Sequence, residues 1–300
     1  MIRPLLFLLV LLSITPASAQ IGSRLRDLIA NRRQSGSGAT TQGAKEELSY
    51  GSDSMQNLDY WRPTTPGSPL VIYVHGGGWK RGDKGLAAGE KSVHYLQQGY
   101  AFASLNYRLV PSCKVEDQAS DVAHAVAFLI RRAEQLGFDG KRVVLLGHSA
   151  GAHLVALVGT DMSYFKQAEV DPKAVRGIIP LDGAAYDVPK QIAEGGDFMH
   201  STYLEAFGTD PARQDKLSPT KQAAAPNAPA FLILHVQRVD GTAQSIALGE
   251  ALRKADTPAE VKGFEGHGLQ GHAEINRRMG DPTYPATPVV DAWLKKVFAK

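Results

Sequence analysis

A serine between glycines at the end of an apolar run can become a nucleophile, and Gly147-His148-Ser149-Ala150-Gly151 supplies that pattern. Val143–Leu146 enters it as a buried strand and Ala152–Val158 leaves it as a helix, which puts Ser149 at the apex of a strand-to-helix turn. The flanking glycines leave room for a strained backbone and close neighbours, and the helix N-terminus favours negative charge developing nearby. A serine hydroxyl is a weak nucleophile until a base takes its proton and a third group holds that base. The chain order that goes with such a turn is serine, acid, histidine. Asp240 lies just beyond the apolar strand Phe231–Val236 and is the expected acid, its other role being to cap a helix over Gly241–Lys254. Asp215, inside an insertion, and Asp256, at a helix end, are placed less well. The base must follow the last strand, Ala259–Phe264, where His267 sits among glycines and His272 directly precedes the helical Ala273–Arg278. A side chain at a loop-to-helix junction is held more firmly, so His272 is the expected base and His267 the second candidate.

Acyl transfer also needs backbone N–H donors for the oxyanion of a tetrahedral intermediate. Ala150, next to the nucleophile, offers one. The strand pattern Leu70–Val74 ends in His75-Gly76-Gly77-Gly78-Trp79, and Gly77 and Gly78 are the expected further donors, since glycines let the backbone turn its amides towards a substrate. His75 and His148 fit better as braces of their turns than as extra bases, and His153 as a packed helix residue. No H-E-x-x-H and no cysteine pair is present, so no metal site is expected. Gly77–Gly82 has Asp83 where a phosphate-binding loop needs lysine, so no nucleotide and no cofactor is expected either.

The elements that must position these residues alternate. Strands are expected at Leu70–Val74, Ala101–Asn106, Arg142–Leu146, Val175–Leu181, Phe231–Val236 and Ala259–Phe264. Helices are expected at Ala88–Gln98, Val115–Leu136, Gln244–Lys254 and Val289–Phe298. Two edge strands, around Leu48–Gly51 and Leu58–Trp61, precede them. Strand followed by helix, repeatedly, predicts an α/β fold with a mostly parallel, twisted sheet covered on both faces. The Pro- and Gly-rich stretch 184–227 interrupts the alternation and predicts a short cap or lid, with Tyr186, Phe198, Met199, Tyr203 and Phe207 available either to line a pocket or to pack the insertion itself.

Three hundred residues with 43% hydrophobic and 21% charged content suffice for one large domain, expected over 46–300. The net charge of +3 owes part of its excess to arginines near the N-terminus, so no nucleic-acid partner is expected. Met1–Ala19 combines Arg3, the apolar Leu5–Leu12 and Ala17-Ser18-Ala19, the pattern of a secretory signal cut before Gln20; a periplasmic or extracellular location follows as an expectation. Its apolar run is too short to span a bilayer, so no stable membrane insertion is expected. Residues 20–45 read as a flexible arm with one short helix at Arg24–Asn31. Cys113 is the only cysteine, which excludes an internal disulfide and, lying far from the cleavage site, a lipoprotein anchor.

From about Leu48 onward the chain resembles the α/β-hydrolase superfamily, and within it the hormone-sensitive-lipase-like and kynurenine-formamidase-like carboxylesterases. The resemblance rests on His75–Trp79 with Gly82-Asp83-Lys84, on Asn106-Tyr107-Arg108-Leu109, on Gly147–Gly151, and on Gly271–Gly280 followed by Pro285-Ala286-Thr287. The last of these places a histidine before a helix and supports His272; the glycine-rich Gly266–Gly271 is longer than the family pattern and keeps His267 in view. The resemblance implies hydrolysis of a small-molecule ester through an acyl-enzyme on Ser149, without a cofactor. It also leaves an arylformamide as an alternative substrate, and a non-catalytic binding protein as the alternative of another class.

Overall fold

The computed structural model describes residues 45–85, 89–194 and 196–299. The expected signal, arm and Arg24–Asn31 helix lie outside those residues. Eight strands form one sheet: β1 (Lys45–Ser49), β2 (Asn57–Trp61), β3 (Ser68–Val74), β4 (Ala101–Leu105), β5 (Phe138–His148), β6 (Val175–Leu181), β7 (Phe231–Gln237) and β8 (Ala259–His267). Their order across the sheet is β1-β2-β4-β3-β5-β6-β7-β8. β1 and β2 pair antiparallel, β2 meets β4 antiparallel, and every pairing from β4 to β8 is parallel.

The two-residue period of a strand divides the core cleanly between the faces. Leu70, Ile72 and Val74 of β3 with Val143 and Leu145 of β5 pack on one face, against the helices Val115–Arg131 and Ala150–Thr160. Val71 and Tyr73 with Val144 and Leu146 pack on the other, with Tyr95 of the helix Lys91–Gln97 and Trp293 and Leu294 of the helix Ala286–Phe298. Central strands buried on both faces are what near-continuous Val/Ile/Leu runs specify.

Several expected boundaries move. The single helix expected over Val115–Leu136 is two, Val115–Arg131 and Ala133–Leu136, the second ended by Gly137 at φ 81°. The helix after β7 starts at Val239 rather than Gln244, and β8 runs to His267 rather than Phe264. The glycine-rich stretch after β8 is no open loop: a helix runs from Gly268 to Arg277 and already contains His272. Gly271 permits this, because a Cβ there would sit 2.5 Å from the carbonyl carbon of Gly266. Segment 184–227 holds four short helices, Val188–Glu194, Gly196–Phe207, Pro211–Lys216 and Pro219–Gln222. The last two begin on proline, which lacks the N–H that a first turn leaves unpaired.

Candidate active site

β5 ends at His148, the helix Ala150–Thr160 starts one residue later, and Ser149 makes the turn between them at φ 57°, ψ −119°. The glycines around it follow from crowding. A Cβ on Gly147 would overlap the carbonyl of Gly151, and one on Gly151 would overlap the carbonyl of Val74 on β3. The Ser149 amide donates to the Leu181 carbonyl at 3.1 Å, which ties the turn to the end of β6.

The Ser149 hydroxyl lies 3.0 Å from Nε2 of His272, and His272 Nδ1 donates to Oδ2 of Asp182 at 2.6 Å. Asp182 is the residue directly after β6, fully buried and at φ 44°. Its amide donates to Leu234 O at 2.7 Å, and its other carboxylate oxygen accepts the Val236 amide at 3.0 Å, both on β7. A buried carboxylate with a charged or hydrogen-bonded partner on each oxygen is held before any substrate arrives.

Asp240, the expected acid, does not reach the histidine, and that expectation is corrected by geometry. With the helix starting at Val239, Asp240 sits on its first turn, one-third exposed. Its carboxylate accepts from Gln191 Nε2 at 3.2 Å and lies 3.8 Å from Arg238 Nε. Arg238 fills the space between: Nη1 is 3.0 Å from His272 Nδ1, Nη2 donates to Gly183 O at 3.2 Å, and Nε is 3.6 Å from Asp182. Sequence reasoning missed both Asp182 and Arg238. The available signal was an Asp-Gly pair placed immediately after the apolar Val175–Leu181.

Two further contacts hold the base. His148 donates from Nε2 to the His272 carbonyl at 3.0 Å with its ring 4.4 Å from the His272 ring. Burial, followed by the His272 charge, pushes His148 well below the ordinary imidazole range, so it is a neutral brace. Asn276, one turn on, accepts from the Tyr73 hydroxyl at 2.7 Å and from Lys91 Nζ at 2.6 Å, fixing the helix to the sheet. His267 occupies the end of β8 opposite Gln237, where its side chain is exposed; Ser149 is met by His272.

Gly78 and Ala150 line the cavity beside Ser149, while Gly77 stands behind them at φ 128° with its carbonyl accepting from Arg81 N at 3.1 Å. His75 stacks on Tyr107 with centroids 4.4 Å apart, and burial lowers its pKa. Trp79 donates from Nε1 to His153 Nδ1 at 3.3 Å, and His153 Nε2 donates to Leu217 O at 2.8 Å. The indole edge also meets Phe207 and Tyr203, so Trp79 anchors the 184–227 segment over the sheet. The cavity measures about 660 Å³ and its apolar wall includes Trp79, Met199, Tyr203, Val239 and Leu269. Of the residues weighed for either the pocket lining or the packing of the segment, Tyr186 and Phe207 are buried in the core, and the Phe198 side chain lies outside the described residues. No cluster of metal-ligating side chains occurs among the described residues.

The sheet order, the turn at Ser149 and the histidine meeting it from beyond β8 are those of the α/β-hydrolase fold. Within that class the chain belongs to the BD-FAE family, whose model matches residues 58–252. Esterase LipC of Mycobacterium tuberculosis is 30% identical over 65% of this chain and 51% of its own length. Esterase LipQ of the same organism is 31% identical over 70% and 52%. Kynurenine formamidase of Danio rerio is 32% identical over 47% and 46%. The chain thus spans about half the length of the curated relatives it matches. Among solved structures, Esterase B of Lactobacillus rhamnosis superposes with a TM-score of 0.71 at 22% identity, covering 94% of this chain and 93% of that one, which speaks for the fold.

Proposed function

We propose that this protein is a serine carboxylesterase that hydrolyses small to medium esters through an acyl-enzyme on Ser149. The observation that carries the reading is the unbroken line from Ser149 Oγ through His272 to buried Asp182, at 3.0 and 2.6 Å. In this reading the Ser149 oxygen attacks the ester carbonyl while its proton passes to His272 Nε2. The leaving alcohol takes that proton as the C–O bond breaks. Water then attacks the acyl-serine, loses a proton to the same nitrogen, and releases the acid as Ser149 is re-protonated. Asp182 holds the imidazole in the tautomer with Nε2 free to accept, and the amides of Ala150 and Gly78, on the cavity wall, are the donors this reading assigns to the developing oxyanion, with Gly77 behind them. The esterase relatives support the reaction, and a largely apolar cavity suits a neutral acyl chain. The Met1–Ala19 pattern supports export to the periplasm or beyond.

The test is covalent trapping with a fluorophosphonate and mapping of the adduct by mass spectrometry. Labelling of Ser149 is the expected result, and labelling elsewhere with turnover surviving Ser149→Ala overturns the reading. The kynurenine formamidase relative keeps an arylformamide as a second substrate class. Comparing kcat/KM for p-nitrophenyl butyrate with that for N-formylkynurenine decides between the two.

A further inference from the structure

The end of β7, where the acid was expected, carries a guanidinium aimed back at the base. We propose that Arg238 is a positioning residue of this active site, whose guanidinium, braced by the Gly183 carbonyl, Asp182 and Asp240, holds the Asp182–His272 pair in register. The inference rests on the reading of Ser149, His272 and Asp182 given above.

Three observations carry it. The guanidinium is fixed: Nη2 donates to Gly183 O at 3.2 Å and Nε stands 3.6 Å from Asp182 and 3.8 Å from Asp240. The fold also makes room for it, because a Cβ on Gly241 would lie 2.7 Å from Nη2 and 3.0 Å from Nε. Finally, Nη1 reaches within 3.0 Å of His272 Nδ1, which is already giving its own proton to Asp182 at 2.6 Å. A donor beside a donor is no hydrogen bond in the resting state; it is a positive charge against a ring that becomes positive when the base takes the serine proton. The guanidinium therefore walls the Nδ1 side of the ring, so the imidazole is held between it, Asp182 and Ser149. The Asp182 carboxylate, closer to the ring at 2.6 Å, offsets that charge.

The groups facing His272 come from every neighbouring element. Asp182 follows β6, Arg238 follows β7, and Asp240 on the next helix lies on the far side of the guanidinium and tempers it. His148 from β5 is held neutral by burial. Tyr186 and Tyr284 near Asp182 are pushed upward by burial and remain uncharged phenols in the neutral range. Lys91, bound to the Asn276 carbonyl, is pushed down to about 7 by burial and so titrates in the same range. It is present in every variant below, so differences between variants isolate Arg238. An alternative task, capture of a carboxylate on the substrate, is opposed by the carboxylates of Asp182 and Asp240 already flanking the guanidinium.

The experiment is the separate measurement of kcat and KM for p-nitrophenyl butyrate above about pH 7, with the rate of fluorophosphonate labelling of Ser149 as a second readout. The wild type, Arg238→Gln, Arg238→Lys and Asp240→Asn are compared. Arg238→Gln is expected to lower kcat and the labelling rate by about 10- to 100-fold while KM stays within about two-fold of wild type. Arg238→Lys keeps the charge without the planar fork, so it recovers only part of kcat. Asp240→Asn removes only one brace of the guanidinium and stays within about three-fold of wild type in kcat, and Arg238→Lys reports even if the glutamine variant fails to fold. An unchanged kcat in Arg238→Gln overturns the proposal, as does an Arg238→Gln effect confined to the KM of carboxylate-bearing esters. Absence of any Ser149 adduct in the wild type removes instead the active-site reading beneath it, a result plainly different from an adduct whose rate of formation ignores residue 238.

Discussion

Leu181-Asp182-Gly183 and Val239-Asp240-Gly241 place the same dipeptide, Asp-Gly, past the ends of two adjacent parallel strands, β6 and β7. Their surroundings differ in every other respect. Asp182 follows its strand directly, bends at φ 44°, and buries its carboxylate against a β7 amide and His272. β7 runs on to Gln237, and Arg238 then separates Asp240 from the triad and leaves it on the first turn of a helix, partly in water. A carboxylate in the second setting is already satisfied by the positive end of the helix and by solvent. One in the first setting is costly to bury unless a partner is always present, which suits a group whose task is to hold a histidine.

The largest effect that can break this comparison is in catalysis. Asp182→Asn should lower kcat by about 10³- to 10⁴-fold, the loss that follows when the orienting acid no longer selects the imidazole tautomer. Asp240→Asn, assayed at its own pH optimum, should stay within about three-fold of wild type, since exposed side chains away from the reacting atoms change little. Initial rates with p-nitrophenyl butyrate check both, and the comparison fails if the ranking reverses.

The contrast also shows what the chain made legible. Ser149, its glycines and the Gly77-Gly78 turn are local: spacing along the chain dictates a strand, a turn and a helix, and crowding around Gly147 and Gly151 explains why no other residue fits. The parallel sheet was equally readable, because β3, β5 and β6 are apolar on both faces. Which of two strand ends supplies the acid is not local. It depends on β7 lying beside β6 so that the Val236 amide meets Asp182, and on a helix starting at Val239 that carries Asp240 away. His272 was distinguished from His267 by its place next to a helix, though that helix begins five residues earlier than the chain pattern suggested.

The two glycines sharpen the comparison through stability. A Cβ on Gly183 would overlap the Tyr186 hydroxyl and stand 2.8 Å from the Ala152 Cβ, inside packed core. Gly183→Ala should therefore destabilise by about 2 kcal/mol in urea or thermal unfolding. At Gly241 the obstacle is only the far end of Arg238, and alanine improves a helix by up to about 1 kcal/mol, so Gly241→Ala should unfold near wild type while disturbing turnover.

The comparison must be made above about pH 7, because acid loosens the site through buried histidines. Burial pushes His153 down to about 4 and His148 well below the ordinary value, so each binds its proton only on unfolding. The unfolded chain then holds more protons than the native one below about pH 6.5, and stability falls as pH drops through that value towards 4. His153 alone should cost about 2 kcal/mol between pH 6.5 and 5, read as a lower urea midpoint and largely abolished in His153→Gln.

The smallest effect falls on the mouth of the cavity, where β7 and β8 each hand over to a helix. Val239 is 94% exposed and Leu269 63%, and both line the cavity wall. Neither supports the fold at that exposure, so Val239→Ser and Leu269→Ser should unfold like wild type. A long acyl chain lying across them would bury part of each side chain, worth about 0.5 kcal/mol apiece at the usual value per unit area. That predicts a two- to three-fold rise in KM for octanoate esters and none for acetate, with kcat unchanged. If Leu269→Ser alone shows it, the acyl chain leaves by the β8 side and the β7 rim faces the alcohol, which would separate the substrate's two halves between the same strands whose ends differ so sharply in charge.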